Sequence, residues 1–142
     1  MNWNSAYLES RILSASPTEL VGILYEHAIV QVGEARRNLA CGDVAARAKN
    51  IAKAIAIISE LQSSLDPQAG GEIAINLERL YEYMIRRLTE GSLQKADRPL
   101  AEVGSLLATL EEGWLAINCP PDGSGASRWA SEETPALAGW SA

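Results

Sequence analysis

The chain has 142 residues, 47% of them apolar and 21% charged, with a formal net charge of −6. That length and composition fit one globular domain able to bury a core without disulfides or metal. The negative sign argues against nucleic acid, whose phosphates require a basic face, and against an anionic membrane surface.

The opening residues MNWNSAYLESRI lack the basic start and apolar run of a signal peptide, and no later run approaches a membrane span. The sequence therefore predicts a cytoplasmic protein. Cys41 and Cys119 have no CxxC spacing and read as reduced, incidental thiols. Residues 1–15 place Trp3, Tyr7, Leu8, Ile12 and Leu13 among polar neighbours. They form a short helix or an extended arm with one sticky side, which either packs on the domain or awaits a partner.

A helix from about Pro17 to Ala40 follows. Ser16 stands at the cap, Pro17 at the first helical position and Glu19 where a capping-box carboxylate reaches back. Leu20, Ile23, Leu24 and Ala28 make one apolar stripe, with Val21, Tyr25, Ile29 and Val32 beside it. Two stripes mean burial on two sides: a central helix of a bundle, or a core helix that also lines a groove. Gly42 is placed to end this helix left-handed, and Asp43 to cap the next.

The second helix carries Val44, Ile51, Ala54, Ile55, Ile58, Leu61 and Leu65 at steps of three and four, while Ile57 falls off that seam as a hint of a second contact surface. Asp66, Pro67 and the turn QAGG reverse the chain. A third helix is predicted from Gly71 or Glu72 to Glu90, with Ile73, Leu77, Leu80, Tyr81, Met84 and Leu88 inward, and Glu82 and Arg86 as an outward i, i+4 pair. Gly91 is read as its end. Asp97 and Pro99 then open a fourth helix with a seam of Leu100, Val103, Leu107, Leu110, Trp114 and Ile117, ended at Asn118 by Pro120 and Pro121. Beyond Cys119 the chain turns to Pro, Gly, Ser and Ala, a composition of disorder in which Trp129 and Trp140 are the only aromatics.

Long helices, short connections and no strand predict an all-α fold: an antiparallel four-helix bundle over 16–118, an N-terminal arm over 1–15 and a disordered C-terminal tail over 119–142. Catalytic chemistry has no foothold in the pattern. A di-iron bundle needs inward Glu-x-x-His pairs, yet His27 is the single histidine. No metal site, cofactor or nucleophile is predicted, and Gly70 and Gly71 lack the lysine of a phosphate loop. The chain reads as a binding protein and not an enzyme.

The runs ASPTELVGILYEHAI after an Ala6-Tyr7 arm, NIAKAIAIISELQSSLD, GGEIAINLERLYEYMIRRL and LAEVGSLLATLEEGW together resemble the flagellar secretion chaperones of the FliS family over residues 6–116. His27, where the family often has glycine, and Thr18, where it often has an acid, are modest departures, and the tail lies outside the pattern. The resemblance implies a cytoplasmic chaperone that binds the disordered C-terminal segment of flagellin, blocks premature filament assembly and helps deliver it to the type III export gate, with a co-chaperone as a further partner. It implies an arm, here Tyr7, Leu8 and Ile12, that covers part of the client site. The client groove is expected on the second and third helices, from Asn50, Ile51, Ala54, Ile57, Ile58 and Leu61 with Leu77, Tyr81 and Met84. The alternative is a structural bundle that self-associates through its extra apolar stripe or its arm.

Overall fold

The computed structural model describes residues 5–118, with side chains from Glu9 onward, and its elements are five α-helices: α1 Ser5–Ser14, α2 Pro17–Cys41, α3 Val44–Ser63, α4 Pro67–Gln94 and α5 Asp97–Asn118. The side chains of Tyr7 and Leu8, and the whole of Trp3, Cys119 and the tail with Trp129 and Trp140, lie outside the described residues. Helix α2 starts where the sequence predicts. Glu19 N–H donates to Ser16 Oγ at 3.1 Å while Ser16 N–H donates to the Glu19 carboxylate at 3.0 Å, a closed capping box. Gly42 takes φ 81° and lets the chain turn, and Asp43 accepts from Ala46 N–H at the start of α3.

Helices α2 to α5 form an antiparallel ring in which α2 packs on α3 and α5, and α4 packs on the same two. This explains the two stripes of α2: its apolar arc faces two neighbours at once. Tyr25, Ala28 and Val32 of α2, Ile58 and Leu61 of α3, Tyr81, Met84 and Leu88 of α4, and Leu100, Val103 and Leu107 of α5 are almost wholly buried. The arm is helical, and Arg11 ties it to Glu26 of α2 at 3.3 Å.

Several boundaries differ from the sequence reading. Helix α4 begins earlier, because Asp66 accepts from Gln68 and Ala69 N–H and builds one extra turn before Gly71 breaks the helical path at φ 56°. It also ends later. Gly91 is buried within it, and Lys95 supplies the left-handed cap at φ 54°. The reason for glycine at 91 is close packing: a Cβ there would lie 3.0 Å from Leu100 Cδ2 and 3.2 Å from the Ala96 carbonyl oxygen. Asp97 does not spend its carboxylate on a cap, since both oxygens accept from Arg36 of α2, at 2.8 and 2.9 Å. Val44, assigned to the α3 seam, is 53% exposed because it is the first residue of its helix. Glu82 accepts from Gln62 Nε2 at 3.5 Å, and Arg86 lies over the Tyr83 ring.

The two kinds of helical glycine make opposite predictions. Gly33 has open space where a Cβ would go, so Gly33→Ala raises stability by about 0.5–1 kcal/mol through helix propensity and a less flexible unfolded chain. Gly91→Val overpacks the α4–α5 corner and costs about 1–3 kcal/mol. Urea midpoints of the two variants, measured side by side, check both signs.

Candidate functional site

The centre of the bundle is closed. Tyr25 of α2 and Tyr81 of α4 meet across the diagonal with their hydroxyl oxygens 2.7 Å apart, both rings buried. Burial pushes both phenols up, and for Tyr25 the neighbouring Tyr81 adds to that shift. One hydroxyl donates and the other accepts, so neither polar tip is stranded in the apolar interior.

This closure decides where the sequence-predicted client residues stand. Ile51, Ala54, Ile58, Leu61, Leu77, Tyr81 and Met84 belong to the buried core. Only Asn50 and Ile57 of that set reach the surface, each partly. Two turns apart on α3, they share the edge that faces α2. Asn50 is engaged there: its Nδ2 donates to Gln31 Oε1 at 3.1 Å, and its Oδ1 accepts from Asn38 Nδ2 at 2.7 Å. Gln31 is 2% exposed, so Asn50 satisfies a side-chain oxygen that water cannot reach. Ile57 packs its inner side against the core and keeps the rest at the α2–α3 surface.

Among the arm residues, Ile12 is 36% exposed and its neighbour Leu13 82% exposed. Arg11 reaches Glu26, and its charge also bears on His27, the next residue of α2. Helix α1 thus lies across the outer face of α2, close to the α2–α3 edge. Beside it runs a groove of about 440 Å³ between α2 and α5, with Gly22, Ile23, Trp114 and Leu115 at its base and Arg11, Glu26 and Glu111 on its rim. Gly22 makes the groove deep, because a Cβ there would sit 3.5 Å from the Trp114 indole nitrogen. Burial, and then the nearby charges of Glu26 and Glu112, push the Glu111 carboxyl up. Sequence periodicity does not reveal this groove. Its one sequence signal is Gly22, a glycine inside an otherwise apolar helical run.

Among the described residues no group of three or more His, Cys, Asp or Glu is placed to hold a metal ion, and no helix is long and apolar enough to cross a membrane. His27 is half-buried, and desolvation lowers its pKa. A helical bundle with a sealed core, a peripheral arm and grooves along its outer faces defines the class: a protein that works by receiving another chain on its surface.

The comparisons with known proteins give that class its family. The family described as Flagellar protein FliS matches residues 1–120. The flagellar secretion chaperone FliS of Salmonella typhimurium is 42% identical over 112 residues, covering 78% of this chain and 83% of that protein. FliSB of Pseudomonas aeruginosa is 36% identical over 111 residues, covering 78% and 88%, and FliS of Vibrio cholerae is 28% identical over 115 residues, covering 81% and 83%. The chain belongs to the FliS family of flagellar secretion chaperones.

Tyr25→Phe leaves the Tyr81 hydroxyl buried without its partner and costs about 1–3 kcal/mol, whereas the double variant Tyr25→Phe/Tyr81→Phe recovers a large part of that loss. Chemical denaturation of the three variants measures the coupling. Glu111 gives a pH prediction. Its folded pKa lies above the unfolded value, so its ionisation opposes folding once the pH rises past the ordinary carboxylate range of about 4.3. Glu111→Gln is therefore more stable than wild type at pH 7, with the difference closing on acidification below that range, as thermal unfolding across pH shows.

Proposed function

We propose that this protein is the export chaperone of a flagellin: it binds the disordered C-terminal segment of that subunit, holds it from polymerising in the cytoplasm and assists its delivery to the flagellar type III export apparatus. Membership of the FliS family carries the reading, and the relatives' names give the secretory role. The physical form of the molecule supports it. A core that satisfies itself leaves the outer helix faces free to receive a partner, and amphipathic helices dock in such grooves through residues at i, i+3 and i+4.

We place the client on the outer surface of α2 and α3, with Ile57 as an apolar contact and Asn50 as a polar one at the same edge. Ile51, Ala54, Ile58, Leu61, Leu77, Tyr81 and Met84 act from beneath, as the packed floor that holds this edge in place. The arm with Tyr7, Leu8 and Ile12 lies in the client's way and moves aside on binding. Small residues make the neighbouring outer face of α3 accessible to a second backbone: Ala45, Ala48, Ala52 and Ala56 are all exposed. A client that orders on binding loses conformational entropy, so the contact is extended rather than a single pocket.

The test is calorimetric titration of the full chain with the C-terminal segment of its host's flagellin, with circular dichroism of the mixture. Saturable one-to-one binding with helicity beyond the sum of the parts is expected. Ile57→Glu weakens that binding at least ten-fold while helicity is retained, and Ile57→Ala, which cannot disturb the fold by charge, weakens it in the same direction. A second reading, self-association without a flagellin client, draws on two exposed apolar side chains at the far end of the bundle, Val44 and Leu93, the latter 79% exposed. Concentration-dependent sedimentation in the absence of client, together with no heat on titration, would favour it.

A further inference from the structure

The charge of the bundle is divided between its two ends. The antiparallel order puts the start of α2, the end of α3, the start of α4 and the end of α5 at the end that carries α1. From residue 5 to the midpoints of the helices, that end holds nine carboxylates against Arg11 and Arg79 alone, while the opposite end holds nine Lys and Arg against six carboxylates. The α2–α5 groove opens on the acidic end. Its base is apolar, and Glu26 and Glu111 stand on its rim close enough for the charge of Glu26 to raise the proton affinity of Glu111. In the free chain a cation already stands at this rim, because Arg11 of α1 contacts the Glu26 carboxylate at 3.3 Å.

We propose that the α2–α5 groove is a docking site for a basic amphipathic segment of a partner protein, which seats an arginine or lysine between Glu26 and Glu111 and an apolar side chain over Gly22 and Trp114, and that α1 occupies the same site in cis through Arg11. Each part of the groove has a job in this arrangement. Gly22 gives the depth that admits a side chain beside the indole. The two carboxylates repel one another until a cation lies between them, so the empty rim is poorer in energy than the filled one. The net negative charge of this end steers a basic segment to it and turns acidic segments away. The Arg11–Glu26 pair is solvent-accessible, with side chains 32% and 49% exposed, so it is weak enough for an incoming cation to replace. The site is distinct from the α2–α3 edge assigned to flagellin above and does not depend on that assignment.

The test uses the full chain with Arg11→Gln, which removes the cis cation, and a fluorescein-labelled peptide of this chain's own residues 1–15 as the basic probe. A second peptide carries the same change, Arg11→Gln. Fluorescence anisotropy is expected to show saturable binding of the arginine peptide, at least five-fold weaker binding of the glutamine peptide, and an equal loss when the chain carries Glu26→Gln/Glu111→Gln. Combining the two changes adds little, and raising NaCl from about 50 to 300 mM weakens only the arginine peptide when the carboxylates are present. Circular dichroism establishes that every variant is folded. Equal affinity for the two peptides, indifference to the Glu26 and Glu111 changes, or no binding would overturn the proposal. A dimer of the Arg11→Gln chain in sedimentation without peptide would also overturn it, by giving the groove to a second copy. Flagellin is absent from this assay, so its failure and that of the flagellin reading are separately visible.

Discussion

The Tyr25–Tyr81 hydrogen bond is the contact on which the rest of the molecule depends. The two helices that carry it are diagonal in the ring, so each hydroxyl reaches into the centre, where an unpaired polar group would cost a large fraction of a domain's stability. Satisfying each with the other fixes the rotation of α2 and α4 about their axes. Once that rotation is set, the α2 arc must face α3 and α5 together, and the α4 seam of Leu77, Met84 and Leu88 must face inward. Everything outside that arc is released for other uses. A chaperone whose own core is closed can hold a partner without exposing its interior, and this core is closed without any contribution from the client.

Around that centre the surface is organised by polar pairs between neighbouring helices. Arg36 and Asp97 join α2 to α5 at one end, Asn50 and Gln31 join α3 to α2, and Glu102 accepts from both Tyr83 and Arg87 to join α5 to α4. These are modest contributions, since exposed ion pairs are worth little each. Their effect is to fix register between helices whose apolar seams would tolerate sliding. The arm has no such set of anchors among the described residues beyond Arg11 at Glu26, and a helix held by one exposed ion pair is suited to leaving.

Much of the fold was legible in the sequence because helix punctuation is local. Ser16, Pro17 and Glu19, then Gly42 and Asp43, act within one turn and need no knowledge of the tertiary structure. The misread positions are those where a tertiary contact claims the residue. Gly91 looks like a helix end until Leu100 of α5 packs against it, and Asp97 looks like a cap until Arg36 takes both oxygens. The site was less legible for the same reason. A stripe such as Ile51, Ala54 and Ile58 reads alike whether it faces the core or a partner, and only the packed ring shows that these side chains are inside. The α2–α5 groove was invisible, since Glu26 and Glu111 lie 85 positions apart and no periodicity links them.

The central claim is that the partner is received on the outside of a bundle whose core stays shut. Isotope-filtered NOE spectroscopy of the complex between the labelled full chain and the unlabelled C-terminal segment of flagellin tests it most directly. Cross-peaks from the segment to the methyl groups of Ile57 and of the exposed α3 alanines, with none to Leu77 or Met84, are the predicted result. Cross-peaks to Leu77 or Met84 would mean that the bundle opens around its client, and would contradict the account.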